Sequence, residues 1–234
     1  MENKPHIIMP VKDSILTAER AIRAIVQSGY VLTVYNDYSC TEAKARLTQL
    51  SEQLHFDVIH IEDHIQHPSP NYLWVLCHAR KEAIKNNVPL IIIESDVIIQ
   101  ADTIARLRQS VTDGIGLVAA VTQDNDGQVN FPYTYAQRWK KQELQTTKRL
   151  SFCCTLLTIE LLKAIDFEKE LDPQKNWYDV TISHLSTERG FTNLLQIDNP
   201  VLHLPHSSRP WKQLKYSNPI LYYWRKLTQH KDRI

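Results

Sequence analysis

Short β-branched runs alternate with longer amphipathic stretches through the first half of the chain. His6–Met9, Val31–Tyr35, Val58–Ile61 and Leu90–Ile93 read as strands, with about 25–30 residues between starts. That rhythm predicts βαβ units and a mostly parallel sheet. Between the first two runs Ala18, Ile22, Ile25 and Val26 share one helical face, and Gly29 stands where a helix C-cap wants glycine. Ser39-x-x-Glu42 has capping-box spacing ahead of Ala43, Leu47, Leu50 and Leu54. Pro68 and Pro70 mark a loop before a helix from Asn71 to Asn86, and a helix over Asp102–Val111 precedes a strand over Ile115–Val121.

The alternation then stops. Thr122–Leu150 is rich in Asp, Asn, Gln and Tyr without a clean period, which predicts loops and short strands. Ser151–Ile159 reads as a strand feeding a short helix, Trp177–Arg189 as a helix ended by Gly190, and Val201–Leu204 as a last strand. The 234 residues suit one α/β domain over 1–205, with a nucleotide-binding part over about 1–123, an acceptor part over about 124–205, and an extension over 206–234.

Composition is ordinary for a folded globular chain, with 43% hydrophobic and 23% charged residues. The net charge of +1 excludes a uniformly basic surface gripping nucleic acid. It hides an asymmetry: from His206 onwards seven Lys/Arg stand against Asp232 alone, so this tail is +6 and the preceding residues are −5. Trp211, Tyr216, Tyr222, Tyr223 and Trp224 interleave with those cations, a pattern that suits peripheral contact with an anionic membrane face, packing on the domain, or dimerisation. Cys40, Cys77, Cys153 and Cys154 lack metal or disulfide spacing and read as reduced packing thiols. With no apolar signal core near the N-terminus, the expected location is cytoplasmic.

Chemistry should collect at the carboxyl ends of the strands, where ligands of open parallel sheets bind. Asp96 follows the fourth run and Asp37 the second, so the two can converge on one ligand; each can equally be a loop acid serving a turn. The chain has five glycines and neither a dinucleotide fingerprint nor a P-loop, so a bound diphosphate needs another counter-charge. Mg²⁺ or Mn²⁺ held by a carboxylate supplies it. Asp179, at the start of its helix, should remain ionised by the helix dipole and serve as a base, or else act as a helix cap.

Four elements in order, HIIMPVKDS, LTVYNDYS, IIIESDV and Trp177-Tyr178-Asp179, resemble the inverting family 2 glycosyltransferases of GT-A fold. The resemblance implies a GT-A-like α/β domain transferring a sugar from a nucleotide diphosphate sugar to a hydroxyl of a glycan or lipid-linked acceptor, in cell-surface glycan synthesis. By the same resemblance Pro10 and Asp13 line the base pocket, Asp37 contacts the base, Arg80 sits near the nucleotide, and Trp177 belongs to the acceptor side. Arg80 can also be part of a solvated helix face. Asp96 binds the divalent metal with His206, or its rival His203, completing the sphere, unless each is a satisfied core or surface histidine, and Asp179 is the base. Glu94 departs from the family's usual Asp and keeps open a non-catalytic sugar- or nucleotide-binding relic. A nucleotidyltransferase is the other alternative, disfavoured by a first loop without glycine.

Overall fold

The computed structural model describes residues 4–139, 142–175, 177–204, 221 and 224. In chain order these form β1 (His6–Val11), α1 (Ile15–Gln27), β2 (Leu32–Asn36), α2 (Thr41–Leu54), β3 (Asp57–His60), α3 (Tyr72–Lys85), β4 (Leu90–Ile93), β5 (Val97–Ile98), α4 (Thr103–Gln109) and β6 (Ile115–Gln123). There follow β7 (Glu143–Thr146), β8 (Cys154–Leu157), α5 (Ile159–Ala164), α6 (Phe167–Glu170), α7 (Tyr178–Glu188) and β9 (Thr192–His203). The extension over 206–234 lies outside the described residues except for Leu221 and Trp224.

Among the described residues there is one nine-stranded sheet, ordered β3-β2-β1-β4-β8-β6-β9-β5, with β7 added on β9. β1 to β4, β6 and β9 run one way; β5, β7 and β8 run against them. The mostly parallel sheet read from the sequence is therefore present. Its two parallel blocks are joined by β8, which enters antiparallel between β4 and β6.

Strand residues alternate between two cores. Ile8, Leu90, Ile92, Leu117 and Ala119 face α3, α5, α6 and α7, whereas Ile7, Met9, Ile91, Ile93, Val118 and Ala120 face α1, α2 and α4. Burial on both faces explains why β4 is an unbroken apolar run. Each fully buried Ile or Leu contributes roughly 1.5–3 kcal/mol, so these layers carry most of the favourable folding energy.

Two local expectations need correction. The spacing Ser39-x-x-Glu42 does not form a capping box: Cys40 is the N-cap of α2, without a side-chain cap bond. The Ser39 hydroxyl instead accepts the Asp13 N–H at 3.0 Å, while Asp13 Oδ1 accepts the Cys40 N–H at 2.7 Å. A carboxylate from the neighbouring loop has replaced the local cap, and that N–H is the chief reason its pKa lies below the ordinary range. The last strand is also longer than its apolar end suggests, because Gln196, Asp198, Asn199 and Pro200 break the pattern within it.

α7 approaches the sheet closely at Gly116 of β6. A Cβ there would fall on Ser186 Oγ and lie 2.8 Å from Phe191 Cβ. Gly116→Ala is expected to lower stability by about 1–3 kcal/mol, the usual cost of overpacking, as read by the urea midpoint. An unchanged midpoint would contradict this close approach.

Candidate functional site

The carboxyl end of β4 is the focus. Ile93 pairs with Cys154, and one step further the Glu94 N–H donates to the Cys153 carbonyl at 3.0 Å, so β8 sets Cys153 beside Glu94. The Cys153 thiol donates to Glu94 Oε2 at 3.3 Å. From the other side, β5 pairs Val97 with His203 of β9, and the Leu204 N–H donates to the Asp96 carbonyl at 2.8 Å. His203 Nε2 thereby stands 3.7 Å from Asp96 Oδ2, both side chains nearly buried. One donor atom each from Glu94, Cys153 and His203 lies within 4.8 Å of the others.

The His203 ring is fixed from behind, with Nδ1 3.0 Å from the Phe131 carbonyl. A carbonyl only accepts, so Nδ1 carries the proton and Nε2 faces the acids; this tautomer is the one a metal-binding histidine needs. Burial disfavours charge on this ring, but Asp96, Glu94 and the Phe131 carbonyl outweigh it and hold the pKa above the ordinary value. Glu94, Cys153 and His203 are close enough for one divalent cation, and Asp96 stands beside His203 as a further oxygen donor.

Asp179 arrives on the first turn of α7. That helix is tied to the strand-8 approach by Ser183, whose hydroxyl accepts the Leu150 N–H at 2.9 Å. Burial is the largest influence on the Asp179 carboxyl and raises its pKa, against the opposing Arg149 charge and the Val180 N–H. The sequence-based expectation that the helix terminus would dominate is thus corrected. A carboxyl raised towards neutrality is nearer the range useful to a general base.

Tyr72 and Tyr133 are within electrostatic reach of these groups. The charges of Glu94, Asp179 and Cys153 add to burial in raising the Tyr72 phenol, and Cys153 and Asp179 do so for Tyr133. Tyr133 is anchored by Ser151, whose N–H it receives at 2.9 Å, whereas the buried Tyr72 hydroxyl has no hydrogen-bond partner among the described residues. Arg149 stacks over the Phe131 ring at 5.3 Å. Sequence reading missed Tyr72, Tyr133 and Arg149, and gave Cys153 only a packing role.

The other expected residues sort differently. Pro10 is half-buried on β1, paired with Tyr35. Asp13 is exposed and clamps the loops after β1 and β2 as described. Asp37 is buried and accepts from Ser69 Oγ, Asn71 N and Asn71 Nδ2 at 2.7–2.9 Å, which leaves about one of its roughly four lone-pair positions for a ligand. Trp177 is exposed at the N-cap of α7. Arg80 lies nine residues along α3 from Asn71, about 13 Å by helical rise; its Nε donates to the Leu162 carbonyl at 2.8 Å and its guanidinium covers Phe167. These contacts fasten α3 to α5 and α6. His206 lies outside the described residues.

No family model matches the sequence, and no curated protein matches it. Among solved structures, the chain is similar to GalNAc-T7 with UDP, GalNAc and Mn²⁺ (TM-score 0.57, 12% identity, 89% of this chain and 45% of that one). It is also similar to a mycobacterial protein (TM-score 0.53, 14% identity, 89% and 70%). A third likeness is to glucosyl-3-phosphoglycerate synthase from Mycobacterium tuberculosis with Mn²⁺, UDP and glucosyl-3-phosphoglycerate (TM-score 0.51, 14% identity, 91% and 75%). The chain spans under half the length of the GalNAc-T7 chain. At these identities the likeness establishes the fold: a mixed α/β domain of GT-A-like architecture.

The Asp179 shift carries a stability consequence. A folded pKa above the ordinary 3.8 means that the ionised carboxylate is disfavoured in the fold, a penalty absent below that pH and growing as pH rises through the folded value. Asp179→Asn should therefore raise the thermal midpoint at neutral pH and lose that advantage below about pH 3.8. A destabilised variant at neutral pH would contradict the burial argument.

Proposed function

We propose that the chain is a glycosyltransferase moving a sugar from a nucleotide diphosphate sugar to an acceptor hydroxyl with inversion, assisted by Mn²⁺ or Mg²⁺. The observation that carries this reading is the meeting of Glu94 and His203 at the strand ends, with Asp96 3.7 Å from His203 Nε2, within a GT-A-like fold. UDP is the nucleotide to try first, since two similar structures hold UDP with Mn²⁺.

In this reading Asp96, Glu94 and His203 hold the cation, whose charge offsets that of the diphosphate. Asp37, through its remaining lone pair, and Pro10 border the base, and Asp13 keeps the two loops at that pocket in register. Asp179 accepts the proton of the acceptor hydroxyl as its oxygen attacks the anomeric carbon, and attack from the face opposite the leaving diphosphate gives inversion. Arg149 bears on Asp179 electrostatically and favours its ionised form against burial. Trp177, exposed at the head of α7, offers an apolar face to a sugar acceptor, free or lipid-linked, and the basic 206–234 extension would add peripheral contact with an anionic surface.

Calorimetry with UDP and Mn²⁺ provides the test. Wild type should bind UDP in a Mn²⁺-dependent manner, and Asp96→Asn should abolish that dependence while keeping the native thermal midpoint. Undiminished Mn²⁺ dependence in the variant would remove Asp96 from the metal set. Asp179→Asn should bind donor and Mn²⁺ normally and lose transfer, or donor hydrolysis, by at least about 10², the lower end of general-base contributions. Near-wild-type turnover would move the base elsewhere, and absence of any metal-stimulated donor cleavage in wild type would favour the binding relic.

A further inference from the structure

The proposed reaction leaves Cys153 without a task, although its thiol occupies the centre of the site. It lies on the inner side of Glu94, donates to that carboxylate at 3.3 Å, and shares a 4.8 Å cluster with His203. Thiolate is foreign to a site meant for Mg²⁺ alone, because hard cations take oxygen ligands whereas sulfur with imidazole suits Zn²⁺. Around a tetrahedral Zn²⁺ with bonds of about 2.0–2.3 Å, donors stand roughly 3.3–3.8 Å apart, so the observed cluster closes with side-chain movements of about an ångström. The His203 ring is already oriented through the Phe131 carbonyl at 3.0 Å. The Tyr72 hydroxyl is also buried without a hydrogen-bond partner among the described residues.

We propose that Glu94, Cys153 and His203 form a thiolate-bearing site for a soft divalent cation, Zn²⁺ foremost, in the crevice assigned above to Mn²⁺ or Mg²⁺. The inference deepens that reading by giving the crevice a cation preference. On binding, the S–H bond breaks, its proton leaves to solvent, and a sulfur–metal bond forms with no change of oxidation state. Asp96, 3.7 Å from His203 Nε2, is the nearest fourth donor, and a Zn²⁺ held by all four would exclude a diphosphate. Zn²⁺ thus acts as a competitor of the hard ion rather than a substitute for it.

Co²⁺ titration of the full chain tests this, with Co²⁺ as the spectroscopic stand-in for Zn²⁺. Wild type should develop a near-ultraviolet thiolate-to-cobalt charge-transfer band that saturates at one equivalent and is bleached by Zn²⁺. Cys153→Ser should lose the band with its metal-free thermal midpoint retained, and its Zn²⁺ affinity should fall at least about tenfold, the scale that even outer ligand partners command. Cys40→Ser, which alters an exposed thiol, should keep the band. If Cys153→Ser fails to fold, His203→Gln must weaken Co²⁺ binding by the same factor with every thiol present. A band that survives Cys153→Ser, an unchanged affinity in His203→Gln, or no band in wild type would overturn the proposal. Mn²⁺-dependent UDP binding without a cobalt band sinks this inference alone; a cobalt band without UDP binding sinks the transferase reading and leaves the soft site standing.

Discussion

The antiparallel pairing of β8 with β4 is the constraint from which the site follows. Without it, the β3-β2-β1-β4 block and the β6-β9 block would have no shared hydrogen bonds. With it, Cys153 is delivered to Glu94, and the residues just before β8 reach Ser183 and hold α7 in place. β9, lying parallel to β6, then carries His203 back to Asp96 through its short pairing with β5. Three elements distant in sequence are thereby fixed by backbone geometry rather than by flexible side chains.

That geometry gathers ionisable groups in a place with little water. Glu94, Asp96 and Asp179 share an environment with one histidine and one arginine, and burial pushes the Asp179 carboxyl and the Cys153 thiol towards their neutral forms. The same burial works against charge on His203, and the adjacent acids together with the Phe131 carbonyl reverse it. Groups arranged in this way weaken the empty fold and strengthen the hold on a charged ligand, the usual opposition between stability and function at a site. Asp37 shows the contrary arrangement. Its carboxylate is satisfied by the Ser69–Asn71 turn, so it orders the base of α3.

Much of the first half of the fold is legible in the sequence because its strands are buried on both faces and its helices on one. β4 falls on Leu90–Ile93 as the apolar run predicts, and α3 fits between Asn71 and Asn86. The second half is less legible, since β7 has the polar sequence ELQT and β9 crosses Asp198, Asn199 and Pro200. A local rule failed where a distant group competed: Asp13 displaced the Ser39 cap. The acids of the site were visible because strand ends are predictable places. Cys153 was not, because its neighbourhood depends on pairing across 59 residues that no local pattern encodes.

Paramagnetic relaxation by Mn²⁺ in the presence of UDP, read on backbone amides, tests the location of the site most directly. A cation held at the junction of β4, β8 and β9 should broaden the amides of Glu94, Asp96, Cys153 and His203 first, and leave those of the outer face of α2 sharp. Broadening centred elsewhere, or spread evenly over exposed acids, would contradict the account.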